Sequence, residues 1–403
     1  MHFPFSEVAP IMDRLIDHGY EAYVVGGAVR DFLLGRPVHD IDIATAAHPG
    51  RVISLFRRTI PTGVKHGTVT VIAHGQTYEV TTFRSESGYS DFRHPNHVRF
   101  ESSLDKDLMR RDFTINALAM DRSGAIIDLF GGRKDMAERR IRMVGAPEER
   151  IHEDPLRIMR GIRFVSELEF TLGDREFAAF QAQAGLLKKI SVERLDQEMT
   201  RLLAGPAANR AIGLLFATGC FRALPLLKEA DLPDPPVALP LLEDDAERWA
   251  AFLDGTGVGD VAAFARAWKW SGKLKKRVTA ILAFGKIRRA GSWSRMSVYQ
   301  AGPQCAASVE RFLTAGGTFR RDTLENRLKA AGSLWAGLPI HSRSDLAVTG
   351  RDLIRWSGRK PGPWLAEVIR TLEKSVVEGA VRNRTEVIKT WFMEQPAARE
   401  QKY

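Results

Sequence analysis

The chain has 403 residues, a formal net charge of +10, 44% hydrophobic and 27% charged residues, and two cysteines, Cys220 and Cys305. That length holds two to four domains of ordinary globular composition. It contains no apolar run long enough to span a membrane and no signal-peptide pattern in its opening M-H-F-P-F-S-E-V, and two cysteines exclude a disulfide framework or a thiolate metal site. A reducing cytoplasmic setting is expected, and the positive excess points to a polyanionic partner.

The first informative elements lie between Tyr23 and Thr45. The apolar run Ala22–Val25 is predicted to be a strand, and it ends in Gly26-Gly27. An amphipathic segment carrying Arg30 and Asp31 follows, then a second predicted strand over Asp40–Ala44. Side chains two apart share a strand face, so Asp40 and Asp42 should converge while Ile41 and Ile43 face the core. Two such carboxylates suit Mg²⁺, and a glycine turn before a helix suits a phosphate chain. Neither signal is specific alone, because most Gly-Gly pairs are turns and most D-x-D pairs are solvated. Joined by a helix-sized spacer, they resemble motif A of the nucleotidyltransferase superfamily. The form is that of class II tRNA nucleotidyltransferases and bacterial poly(A) polymerases.

Further along, Arg51–Arg57 is predicted helical, and Thr68–His74 and Gln76–Phe83 are predicted strands forming a hairpin around Gly75. Glu79 reads equally as a third active-site carboxylate or as an exposed strand residue. Residues 85–98 read as a mobile polar loop, similar to the loop with which C- and A-adding enzymes switch specificity. After the predicted helix Asp105–Met109 comes R-R-D-F-T-I-N-A, residues 110–117. This matches the family's motif B, which implies that Arg111 reaches the nucleotide or its phosphates. Asp112 and Asn116 are expected to hold nearby backbone. The run D-L-F-G-G at 128–132 is read as the turn into the helical part.

Beyond about residue 141 the pattern is helical, with predicted helices at Pro155–Glu167, Asp174–Lys188, Ser191–Ala204 and Pro206–Phe216. Ser191 suits a helix start, although Arg194 stands where a capping box would have Glu or Gln. The segment E-D-P-L-R, residues 153–157, with Arg160 and Arg163, resembles motif D, whose Asp and Arg read the incoming base. Asp154 also reads as a simple helix cap. As a reader, its carboxylate accepts from the exocyclic amine of C or A, and Arg157 donates to the adjacent ring nitrogen. U and G present the opposite pattern, so one Asp–Arg pair admits C and A at roughly 1–3 kcal/mol per bidentate contact.

A proline-rich stretch, Leu232–Asp244, reads as a linker or surface loop. From Val261 to Val309 there is no Asp or Glu, while ten Lys and Arg are interleaved with Trp268, Trp270 and Trp293. Lys273, Lys275, Lys276 and Arg277 are candidate tRNA contacts, with the tryptophans mainly packing. Residues 346–365 resemble the tail segment of bacterial members of the family. The histidines lack metal-ligand spacing.

The resemblance implies an α/β nucleotidyltransferase head with a small mixed sheet over 1–140. All-α neck, body and tail domains are expected over 141–205, 206–315 and 316–403. The implied reaction adds C, C and A from CTP and ATP to the tRNA 3′ end and releases pyrophosphate. Asp40 and Asp42 would hold Mg²⁺ with Glu79 beside them, Gly26, Gly27 and Arg30 would meet the phosphates, and Arg111, Arg160 and Arg163 would support the nucleotide. Asp154 and Arg157 would read it. The partners are tRNA, CTP and ATP, with no membrane, and a homodimer is compatible with the motifs. A partial adder, making only CC or only the final A, shares every motif. A poly(A) polymerase shares the head.

Overall fold

The structure is a computed structural model and describes residues 3–89, 95–233 and 237–395. The chain divides into two compact units, one of residues 1–232 with 267–269, the other of 233–266 with 270–403. The boundary falls within the proline-rich stretch.

The first unit opens with helix α1 (Ala9–Asp17), strand β1 (Ala22–Val25), the short helix α2 (Gly27–Leu33), β2 (Asp42–Thr45) and α3 (Pro49–Leu55). Strands β3 (Thr59–Gly63), β4 (Thr68–Ala73) and β5 (Gln76–Thr82) follow, then β6 (Arg84–Tyr89) and β7 (Pro95–Phe100). Helix α4 (Leu104–Met109), β8 (Leu118–Met120) and β9 (Ile126–Asp128) complete a seven-stranded mixed sheet in the order β3-β4-β5-β2-β1-β8-β9. The apolar strand residues Val24, Val25, Ile43, Val69, Val71 and Val80 are all buried, as alternating or continuous apolar strands require. The β4–β5 turn has His74 and Gly75 both at positive φ, 51° and 78°, the twist-compatible geometry of a two-residue hairpin.

Two expectations are corrected here. The second strand begins at Asp42, so Asp40 precedes it and the two-residue alternation does not apply to the pair. Segment 85–98 is not wholly irregular: β6 and β7 pair antiparallel from Arg84↔Phe100 to Tyr89↔Pro95, and residues 90–94 at its tip lie outside the described residues.

The helical part of this unit starts with α5 (Gly132–Ala137), capped by Asp128, whose two oxygens accept from the Gly132 and Arg133 amides at 2.7 and 2.9 Å. Then come α6 (Pro147–Glu153), α7 (Leu156–Leu168), α8 (Asp174–Gln183), α9 (Val192–Ala204) and α10 (Ala208–Ala217). Trp268 closes this unit's core, with its indole N–H donating to the Pro225 carbonyl at 2.9 Å.

The second unit is helical: α11 (Asp245–Gly255), α12 (Val261–Ala267, ending on the first unit's side of the boundary), α13 (Gly272–Ala290), α14 (Arg295–Ala315), α15 (Leu324–Ala336), α16 (Gly350–Ser357), α17 (Pro363–Glu378) and α18 (Thr385–Glu394). Helix α14 is interrupted at Gly302, where Pro303 has no N–H to continue the ladder. Val298, Leu338, Ile340, Val376 and Ile388 form its tail-side core. Among the described residues no helix is long and apolar enough to cross a membrane.

Candidate active site

The site grows from the pairing of β2 with β5. These strands run parallel, and Asp42 stands in register with Glu79. The register sets the two carboxylates side by side, and both line one cleft of about 710 Å³. Burial, then the Glu79 charge, pushes the Asp42 carboxyl up from its usual range; Arg111 opposes this and Asp40 adds to it. Asp40 is exposed ahead of the strand, yet its charge still acts on Asp42.

Strand β1 delivers the glycine turn. Gly26 has φ +76°, a backbone conformation that favours glycine, and a Cβ there would lie 2.8 Å from an Arg111 terminal nitrogen and displace it. Helix α2 behind it has only seven residues, so its dipole is short and the positive potential must come mainly from side chains.

Those side chains are abundant. Among the described residues nine arginines line the cleft against three carboxylates, Asp42, Glu79 and Asp112, a balance made for a polyphosphate. Arg30 is buried, bonds Asp31 through two nitrogens at 2.9 Å each, and donates to the Asn116 amide oxygen at 2.6 Å. Arg111 donates to Asp107 at 3.2 Å, while its buried Nε has no hydrogen-bond partner. The Arg111 nitrogen beside Gly26 is a terminal guanidinium donor, a group that suits an incoming oxyanion.

Asp112 and Asn116 do more than hold local backbone. One Asp112 oxygen accepts from the Phe113 amide at 2.8 Å and Asn116 at 3.2 Å, and the other from Arg160 at 2.6 Å. Burial acts to raise the Asp112 carboxyl, but Arg160, with Asn116 and Arg157, overrides it and holds the group far below the usual range. Asp107, missed by motif reading, is fully buried and anchors both Arg110 and Arg111. Its signal was available: an acid three and four residues ahead of Arg-Arg at the end of a helix.

Helix α7 carries the second group. Asp154 accepts from the Leu156 amide at 3.1 Å, which makes it a helix cap, and is also gripped by Arg194 at 2.7 and 3.3 Å. Arg157 is 7% exposed and donates to Glu153 at 2.7 Å and the Arg150 carbonyl at 2.8 Å. Arg160 borders the cleft. Arg163 also lines the cleft, 1% exposed, with two nitrogens held by Glu198 and Glu167. Arg84, Arg194 and Arg201 also line the cleft and belong to no motif that sequence reasoning used.

In the second unit, Lys273, Lys275 and Lys276 are exposed on α13 without ion pairs among the described residues, and Arg277 bonds Asp244 at 2.6 Å. Trp293 packs inward, its indole donating to buried Glu310 at 2.8 Å.

No group of three or more His, Cys, Asp or Glu gathers as a closed metal cage among the described residues. Two cleft-facing carboxylates standing in register are instead an open, hard-oxygen donor pair. That pair fits a divalent cation completing its shell with water and phosphate oxygens.

The chain matches three family models: the poly(A) polymerase head domain over residues 22–142, a probable RNA and SrmB-binding site of polymerase A over 169–231, and a tRNA nucleotidyltransferase domain 2 over 241–392. It is 45% identical to the CCA-adding enzyme of Geobacillus stearothermophilus over 98% of each chain. It is 41% identical to that of Enterococcus faecalis over 97% of this chain and 96% of the other. The crystal structure of the Bacillus stearothermophilus CCA-adding enzyme in complex with CTP superposes with a TM-score of 0.91 at 44% identity, over 99% of both chains.

Proposed function

The chain belongs to the family of CCA-adding enzymes, and on that footing we propose how its cleft adds C, C and A to the 3′ end of tRNA from CTP and ATP, with release of pyrophosphate. The observation that carries the assignment is the near-complete match to CCA-adding enzymes at 41–45% identity. It favours full CCA addition over a partial adder or a poly(A) polymerase.

Asp42 and Asp40 are the residues we assign to a divalent cation, Mg²⁺, with Glu79 beside them. When bound, that cation lowers the pKa of the primer 3′-hydroxyl and neutralises triphosphate charge. Glu79, opposite Asp42 in the sheet, is placed to accept the hydroxyl proton. The Gly26–Gly27 backbone approaches the phosphates without a side chain in the way. Arg30 and Arg111 supply the countercharge that favours a departing pyrophosphate. Asn116 and Asp31 hold Arg30, and Asp107 holds Arg111, so both guanidiniums are pre-oriented. Arg160, fixed by Asp112, flanks the nucleotide. Arg157 lines the same cleft as Asp42, and we assign it, with Asp154 three residues before it, to reading the base edge, so that C and A use one site. The basic helices of the second unit hold tRNA, chiefly by backbone and shape. We assign the head, neck, body and tail divisions of 1–140, 141–205, 206–315 and 316–403 to these tasks, in a reducing cytoplasm.

The test uses tRNA lacking its 3′ CCA, incubated with each labelled triphosphate alone and together, resolved to single nucleotides. CTP alone should give two additions, CTP with ATP three, and UTP or GTP none. A product ending at CC with both nucleotides present, or growing into a long A tail, refutes the proposal.

A further inference from the structure

We infer that Arg194 is a positioning residue for base selection: it holds Asp154 away from Arg157, so that the two readers face the base instead of neutralising each other. This rests on the base-reading role proposed above. Asp154 and Arg157 are three residues apart at the start of a helix, a spacing at which opposite charges pair readily. A pair closed on itself would present neither its acceptor nor its donors to a nucleotide.

The structure pairs them crosswise. Arg194, at the third position of α9, spans Asp154 with Nη2 to Oδ2 at 2.7 Å and Nη1 to Oδ1 at 3.3 Å. Arg157 is drawn the other way, to Glu153 at 2.7 Å and the Arg150 carbonyl at 2.8 Å. Among the described residues no side-chain bond joins Asp154 to Arg157.

The occupancy of the carboxylate sharpens the point. An ionised carboxylate has about four acceptor positions. On Oδ1, the Leu156 amide and Arg194 take two. On Oδ2, Arg194 takes one. One acceptor position is left, which is what a single exocyclic amine requires. Arg194 lines the cleft together with Arg157, so its grip on Asp154 reaches the cleft wall. The departure from a capping box at position 194 thereby acquires a use: a Glu there would repel Asp154. A guanidinium suits the task because its planar fork fixes both carboxylate oxygens, whereas a lysine holds by one point.

The experiment measures kcat and KM for CTP, ATP, UTP and GTP on tRNA primers with wild type, Arg194→Gln, Arg194→Lys, Asp154→Ala and the double variant Arg194→Gln/Asp154→Ala, each with a thermal melt. Arg194→Gln should lower the preference for CTP and ATP over UTP and GTP roughly tenfold, mainly through raised KM for CTP and ATP. Arg194→Lys should recover part of that preference, and the double variant should be no less selective than Asp154→Ala alone. Should Arg194→Gln not fold, Arg194→Lys decides: intermediate selectivity supports the inference, and wild-type selectivity overturns it. A loss shared equally by all four nucleotides, or a lower melting temperature with selectivity intact, marks Arg194 as merely structural and overturns it. If Asp154→Ala loses selectivity while Arg194→Gln keeps it, this inference alone fails. If Asp154→Ala keeps wild-type selectivity, the base-reading role itself fails and takes the inference with it.

Discussion

At the scale of single residues, the arginines of the site are each held by a partner other than a future ligand. Asp42 should be indispensable because both C and A additions use it. Asp42→Ala, and Asp40→Ala with it, should abolish incorporation of both nucleotides. The unliganded protein should melt no lower than wild type, since removing a carboxylate crowded against Glu79 relieves repulsion. Near-wild-type addition by either variant would refute the metal assignment. Asp112 makes the opposite case. Its carboxyl is held far below the usual range, so it stabilises the fold above its unfolded value of about 3.9 and loses that contribution as pH falls through the folded value. Asp112→Asn leaves Arg160 only its longer ion pair with Glu198, 3.8 Å, among the described residues, and should cost about 1–3 kcal/mol at neutral pH. Urea titrations should show that gap constant from pH 7 to about 5 and narrowing below about 4; a gap independent of pH would deny the ion pair its role. These roles were only partly legible in sequence. Asp42 was suggested by its spacing from Asp40 and Arg111 by the resemblance to motif B, and the acid ahead of Arg110-Arg111 was a local signal for Asp107, but Arg194 acts through a contact that no local pattern encodes.

At the scale of elements, the strand and helix periodicities predicted β1, β4, β5, α7 and α9 to within a few residues, because apolar faces must be buried whatever the partner. The start of β2 was missed by two residues. An alternating pattern continues through Asp40 although hydrogen bonding to β1 reaches only from Ala22↔Thr45 to Val25↔Asp42. The β6–β7 ladder was read as a loop because its polar sequence, S-E-S-G-Y with P-N-H-V, carries no apolar alternation; backbone pairing alone defines it. Helix α13 shows how element geometry sharpens a charge count. Lys273, Lys276 and Arg277 border the same groove beside the α14 interruption, while Lys275, about 200° around from Lys273, points elsewhere. Arg277 is partly committed to Asp244, the cap of α11. Neutralising Lys273 and Lys276 should therefore reduce the slope of log tRNA affinity against log salt by roughly 1.5 to 2, and adding Lys275 should change it little. An unchanged slope from the first pair would show that this face is only solvated.

At the scale of the whole molecule, the net charge of +10 makes tRNA binding strongly dependent on salt. Between 50 and 200 mM salt, affinity for tRNA should fall on the order of a thousandfold if six or more phosphates are contacted. Affinity for CTP should fall much less, because a triphosphate releases fewer counterions; filter binding of both ligands across that range is the check. Parallel curves for the two ligands would mean that the basic surface takes no part in binding RNA. The sequence by itself determined the family and the chemistry, and it supplied the candidates for the reacting groups. Those rest on local matters: a glycine turn, carboxylates at short spacing, and donor and acceptor types that match C and A. Tertiary structure alone decided how those groups are held. Glu79 became a partner of Asp42 through a parallel register between strands 37 residues apart in the chain, Arg163 was paired with Glu198 and Glu167, and Asp154 was divided between a helix end and Arg194. Each of these is a choice among oppositely charged partners far apart in sequence, and a charge pattern does not say which pair will meet until packing has brought them together.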